Sequence, residues 1–179
     1  MGALYLSMNT RPDFSYAVGV LARYGSKPTL TACGQLVHLM QYIRGTVDEG
    51  ITFSGSTTDM HVFTDADWAG DLLTRRSTTG YVVFFAYGPI AWQSKLQTTV
   101  ATSSMQAEYQ AMYAGMQEVV WLRGVMAELG LPFCEPTPFF VDSKSAKDLA
   151  ENPVYHKRSK HIEITWTRKA IYRLLDCCM

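Results

Sequence analysis

The stretch FTDADWAGD, residues 63–71, decides how the rest of the chain is read. It places Asp65, Asp67 and Asp71 directly behind the hydrophobic run His61-Val62-Phe63. A strand of that composition is built for burial. Clustered like charges at its end lose hydration and repel one another, so stability alone does not explain them. The spacing predicts a strand over MHVFTD, residues 60–65, with Asp65 at its end.

Working outward from this strand, STTGYVVFFAY (77–87) and PIAWQSK (89–95) read as two more. Tyr87-Gly88-Pro89 is too short for anything but an antiparallel hairpin, with Pro89 at the first position of its strand. A long helix follows. Ser103 with Gln106 three residues on forms a capping box, and Gly130 closes the helix. PTPFFVDS (136–143) is a fourth strand. SAKDLAEN (145–152) is a short helix stopped by Pro153, and IEITWTRKAIYRLL (162–175) is a last helix. From about residue 58 the order is β-β-β-α-β-α-α, which predicts an α/β unit with a mixed sheet over 58–179.

Upstream the texture differs. Residues 13–24 read as a helix opened by Pro12-Asp13 and broken at Lys27-Pro28. A second helix spans about 31–44 with the apolar stripe Leu36, Leu39, Met40 and Ile43, and Gly45 suits its end. ITFSG (51–55) reads as a short strand. A boundary near Gly55 gives a small, mainly helical unit over 1–54.

Bulk properties narrow the class. The 179 residues are 47% hydrophobic and 18% charged, which is globular and not disordered. The formal charge is zero, so any attraction to nucleic acid must come from a local patch. Cys33, Cys134, Cys177 and Cys178 show no C-x-x-C spacing and fit a reducing compartment. No apolar run approaches a membrane span, and MGALYLSMNTRPD lacks the pattern of a signal peptide. The expectation is a protein of the cytoplasm or nucleus with no membrane partner.

Three acids then stand out. Asp65 ends the first strand, Asp142 ends the fourth, and Glu108 lies in the first turns of the long helix. Counting from Glu108, residues Met112, Gly115, Val119, Leu122, Met126 and Leu129 recur at steps of four and three. Glu108 thus heads the apolar face that packs on the sheet, where an uncompensated carboxylate is costly. Each acid has an ordinary explanation: Asp142 as a helix N-cap, Glu108 in an ion pair or at the helix N-terminus, Asp65 in a solvated turn. If the two strands are neighbours, all three converge at one edge of the sheet. Hard oxygen donors without a His or Cys cluster favour Mg²⁺ or Mn²⁺. Two such ions about 4 Å apart are the standard device for in-line phosphoryl displacement.

In order along the chain, TDADWAGD, RRSTTGYVVFF, PIAWQSK, SSMQAEYQA, VDSKSA and NPVYHKRSKHIEI resemble the ribonuclease H domain of Copia-type LTR retrotransposon Pol polyproteins. TRPDFSYAVGVLARY and HLMQYIRGT resemble the tail of the reverse transcriptase domain in the same polyproteins. The resemblance covers residues 3–166. It implies a ribonuclease H-like fold with a mixed five-stranded sheet, and hydrolysis of the RNA strand of RNA–DNA hybrids with two Mg²⁺ or Mn²⁺ ions. The family's T-D-x-D, A-E-Y and strand-end carboxylates fall on Asp65, Glu108 and Asp142; Asp67 and Asp71 match secondary acids. The polymerase Y-x-D-D motif is absent. The family's fourth carboxylate, in a downstream A-D motif, has no match in TWTRKAIYRLLDCCM, so the resemblance implies truncation before the fifth strand. The alternative function is therefore a catalytically impaired fragment that binds hybrid at most.

The substrate side is less distinctive. Arg75 and Arg76 precede the second strand. His156, Lys157, Arg158, Lys160 and His161 form a basic run. A charge run is commonly a solvated face; the resemblance turns these residues toward the hybrid backbone, recognised by shape and 2′-hydroxyls. Trp68, Trp92 and Trp121 are expected in the core. The remainder of the Pol polyprotein is the expected partner.

Overall fold

A computed structural model describes residues 2–54, 59–133 and 135–143. The N-terminal part carries α1 (Gly2–Asn9), a 3₁₀ turn (Pro12–Phe14), α2 (Ser15–Ala22) and α3 (Leu30–Gly45). Then come β1 (His61–Asp67), β2 (Thr78–Phe85), β3 (Gly88–Leu96), α4 (Ser104–Glu128) and β4 (Phe139–Val141). The strands form one mixed sheet in the order β3-β2-β1-β4. β1 runs antiparallel to β2 and parallel to β4. This mixed α/β architecture is compatible with a ribonuclease H-like fold. The expected helices over 145–152 and 162–175, and any fifth strand beyond, lie outside the described residues.

Alternation builds the core. Along β1, Val62, Thr64 and Ala66 are buried while Phe63, Asp65 and Asp67 face out. α4 covers the inward face: Met60, Val62, Tyr81, Val83 and Val119 form its centre, and Met112 and Met116 pack with Tyr109 beside it. The stripe counted from Glu108 is buried through Val119. Leu129 at its far end is exposed, because the helix has passed beyond the sheet. Gly115 permits the close contact. A Cβ there would lie 2.9 Å from Thr64 Cγ2 and 3.4 Å from Val62 Cγ1, tighter than packed atoms sit.

The ends of α4 follow the sequence. Ser103 accepts from the Gln106 backbone N–H at 3.2 Å, and the Gln106 carboxamide oxygen accepts from Thr102 rather than from the cap residue itself. Gly130 takes φ +78° after the last turn. Arg123, buried, donates to the carbonyls of Glu135 (2.8 Å) and Phe133 (2.6 Å) and to Thr137 Oγ1 (3.0 Å). It thereby pins the connection that delivers β4 beside β1.

Several expectations need correction. ITFSG does not pair as a strand: residues 51–54 have no regular structure, and Phe53 instead packs against Gly88, where it leaves no room for a side chain. The hairpin turn is Ala86-Tyr87, both at positive φ, so β3 begins at Gly88 and Pro89 is its second residue. Positive φ at both central positions matches the right-handed twist of the flanking strands. In α3 only Leu39 and Ile43 of the expected stripe pack, on Phe14 and Val18. Leu36 and Met40 are exposed, because α3 meets its neighbour along one narrow seam. Trp68 and Trp121 are exposed, not core. Trp68 belongs to the turn after β1, where its Nε1 donates to Ala101 O at 3.3 Å. Trp121 lies on the α4 face turned away from the sheet. α1 was not expected at all.

The N-terminal helices rest on the β3 side. Trp92 Nε1 donates to Ser7 O at 2.7 Å, and Arg23 pairs with Asp71 at 3.3 Å. No described helix is long and apolar enough to cross a membrane.

Candidate metal centre

The site forms where three elements meet. β1 and β4 are parallel neighbours with Thr64 opposite Val141, so Asp65 and Asp142 follow them side by side; β1 runs on to Asp67, so Asp65 lies two residues inside its strand and not at its end as expected, while Asp142 lies just past β4. The third acid arrives through small residues. Ala66 on β1, Ala101, and Ala107 and Ala111 on α4 form a tight cluster that seats the start of the helix against the end of β1. Anything bulkier there would lift Glu108 away. With alanines, one carboxylate oxygen from each of Asp65, Glu108 and Asp142 lies within 4.8 Å of the other two.

The electrostatics are strained. Glu108 is buried, and among the described residues its Oε2 has no hydrogen-bond partner. Burial, then the negative charges of Asp142 and Asp65, push its pKa from 4.5 up to about 7; the Ala66 backbone N–H offsets only part of this. Asp65 is oriented locally, its Oδ1 accepting from the Ala66 backbone N–H at 2.8 Å. The ion pairs found among the described residues, Arg11–Asp13 and Arg23–Asp71, lie elsewhere. Among the described residues no cation pairs with this cluster, and its oxygen donors are of the type that hard divalent cations take.

The same geometry occurs in a chain whose relatives can be named. It is 41% identical over 170 residues to the retrovirus-related Pol polyprotein from transposon TNT 1-94 of Nicotiana tabacum, covering 94% of this chain and 13% of that protein. It is 39% identical over 167 residues to the retrovirus-related Pol polyprotein from transposon RE2 of Arabidopsis thaliana, covering 93% and 12%. Over 93–94% of its length the chain's homologues are Copia-type retrotransposon Pol polyproteins. It spans about an eighth of the length of these Pol relatives. A secreted RxLR effector protein, 161, of Plasmopara viticola is also similar, 43% identical over 120 residues, which cover 66% of this chain and 84% of that protein. No protein-family model matches the chain.

In this Pol segment the secondary acids separate from the three. Asp71 is engaged in the β1–β2 turn: it accepts from the backbone N–H and hydroxyl of Thr74 and from Arg23 Nη1. The Thr74 hydroxyl chiefly holds its carboxyl below the usual range. Asp71 is therefore engaged in the turn and stands outside the three-acid cluster. Asp67 faces outward on β1, two residues beyond Asp65. Arg75, exposed and at φ +56°, and Arg76 sit in this turn at the same end of the sheet as the acids. His156, Lys157, Arg158, Lys160 and His161 lie outside the described residues.

Two features of the Pol segment gave no signal in the sequence. Arg123 is one, since its acceptors are carbonyls of a loop whose path cannot be read from spacing. The other is an exposed ring cluster on the outward sheet face. Phe63 and Phe140 stack at 4.9 Å, and Phe84 and His61 stack at 5.3 Å.

Proposed function

We propose that this Pol segment is a metal-dependent endonuclease module that cleaves the RNA strand of RNA–DNA hybrids within a retrotransposon polyprotein. The observation that carries the reading is the convergence of Asp65, Glu108 and Asp142 on one point at the end of the sheet. The motif resemblance supports it by placing the family's three carboxylates on the same residues.

Asp65, Glu108 and Asp142 would hold the ions, Mg²⁺ or Mn²⁺, with Glu108 Oε2 as a buried donor without a hydrogen-bond partner among the described residues. When bound, two divalent ions lower the pKa of an attacking water and stabilise the leaving oxygen of a phosphodiester. The chain's own residues do the rest. The Ala66 N–H fixes the Asp65 carboxylate, and the alanine cluster holds Glu108 at its depth. Arg75 and Arg76 offer guanidinium groups to phosphates on the same side of the molecule. The charge balance of the whole chain gives no steering, so these local cations set the salt dependence.

The test is cleavage of a labelled RNA–DNA hybrid by the full chain with Mn²⁺ or Mg²⁺. The reading predicts metal-dependent cleavage that Asp65→Asn, Glu108→Gln and Asp142→Asn each abolish. Hybrid binding without cleavage supports the alternative of an impaired fragment. Cleavage that survives Asp65→Asn refutes the assigned site.

A further inference from the structure

Gln97, the residue after β3, is 7% exposed and tied in on three sides. Its backbone N–H donates to Ser77 O at 2.8 Å. Its side-chain Nε2 donates to Thr79 Oγ1 at 3.0 Å and to Ala107 O at 3.1 Å. These partners fix the orientation of the carboxamide: a carbonyl oxygen only accepts, so the NH₂ group must face Ala107. The Gln97 Oε1 is buried with no hydrogen-bond partner among the described residues.

Stability alone does not explain this side chain. A buried carboxamide with an orphaned oxygen carries a desolvation cost that an apolar side chain of similar length avoids. Nor does Ala107 O depend on it, since that carbonyl lies inside α4, whose own ladder offers it an N–H. What Gln97 supplies is direction. Thr79 lies opposite Ala66 of β1, and Gly80 lies opposite Asp65. Ala107 immediately precedes Glu108. One side chain thus ties the strand next to Asp65 to the helical turn that carries Glu108. The apolar contacts that seat this turn come from Ala66, Ala101, Ala107 and Ala111. Small methyl surfaces of this kind allow close approach, but dispersion has little direction and resists sliding or rotation of the helix weakly.

We propose that Gln97 is a positioning residue of the three-acid cluster: through Thr79 and Ala107 it fixes where Glu108 stands against Asp65. It acts through Glu108 and not as a ligand. Weaker ion binding on its loss is the consequence to be measured, and that consequence rests on the reading of the three acids as one ligand set.

The experiment compares Gln97→Met, Thr79→Val, Thr79→Ser and the double variant Gln97→Met, Thr79→Val in the full chain. Val83→Ala, a deletion in the core centre, serves as the control for lost stability. Mn²⁺ affinity is measured by calorimetric titration above pH 7, and backbone hydrogen exchange is measured without metal, against the urea-unfolding stability of each variant. Gln97→Met should weaken Mn²⁺ binding about ten-fold or more, the usual scale for a residue that orients a ligand. It should also speed exchange selectively at residues 107–112, leaving residues 118–128 as in wild type. Thr79→Val should act in the same direction and add little to Gln97→Met, because both remove one hydrogen bond. Thr79→Ser keeps the hydroxyl and should stay near wild type. Val83→Ala should lose stability and keep its affinity. Unchanged affinity in Gln97→Met, or an equal loss in Val83→Ala, overturns the proposal and leaves the ligand set standing. A wild type that binds no Mn²⁺ overturns the ligand set instead, and exchange then decides on Gln97 alone. Selective acceleration at residues 107–112 upholds the positioning role; uniform or absent acceleration overturns it.

Discussion

Glu108 concentrates the chemistry of the molecule in one side chain. Its pKa is raised from 4.5 to about 7, first by burial and then by Asp142 and Asp65. A folded-state pKa above the unfolded one means that folding takes up a proton. The associated stability is fully present below about pH 4.5 and is lost as pH rises through about 7. Glu108→Gln removes this dependence. We expect the variant to melt higher than wild type above pH 7 in EDTA, and close to it near pH 4.5. Thermal denaturation across that range checks the sign; a variant less stable than wild type above pH 7 would mean that the charge is compensated by the protein itself. At this scale much was legible. The step of four and three from Glu108 put a carboxylate at the head of an apolar face, and a strand end located Asp142; Asp65 was expected at a strand end but lies two residues inside β1. Asp71 was not legible, because what removes it from the site is Arg23, 48 residues away, together with a turn hydroxyl.

The elements matter through how closely they approach. Gly115 lets α4 lie on β1, and Gly115→Val puts a branched side chain against Thr64 and Val62. We expect a loss of about 1–3 kcal/mol in urea unfolding, the usual cost of overpacking, with divalent-ion affinity reduced as Glu108 is lifted. Arg123 acts at the other end. Arg123→Met strands the carbonyls of Phe133 and Glu135 and frees the connection to β4. A loss of about 2–4 kcal/mol is expected, with weaker ion binding through Asp142 although the residue touches no ion. Unchanged affinity at reduced stability would separate β4 placement from the site. Long elements with a regular period were legible: β1, β2, β3 and α4 each lie within a few residues of the sequence reading. α1 was not, since GALYLSMN carries neither an N-cap nor a strong apolar stripe. ITFSG misled for the opposite reason. Its β-branched and aromatic residues fit a strand, but Phe53 is used to cover Gly88 instead.

The molecule as a whole joins its two sequence textures through side chains that no local pattern announces. Trp92 on β3 donates to Ser7 in α1, and Arg23 after α2 reaches the β1–β2 turn. Removing residues 1–54 should therefore expose Trp92 and the hairpin, lower the melting temperature and promote association; an unchanged melt would show that the sheet is indifferent to these helices. The claim on which the functional account turns is that Asp65, Glu108 and Asp142 act as one ligand set. Calorimetric titration of the full chain with Mn²⁺ above pH 7 tests it most directly. The account predicts saturable binding in wild type that Asp65→Asn, Glu108→Gln and Asp142→Asn each strongly weaken, while Asp71→Asn leaves it near wild type. Binding equally strong in all four variants, or none in the wild type, would contradict it.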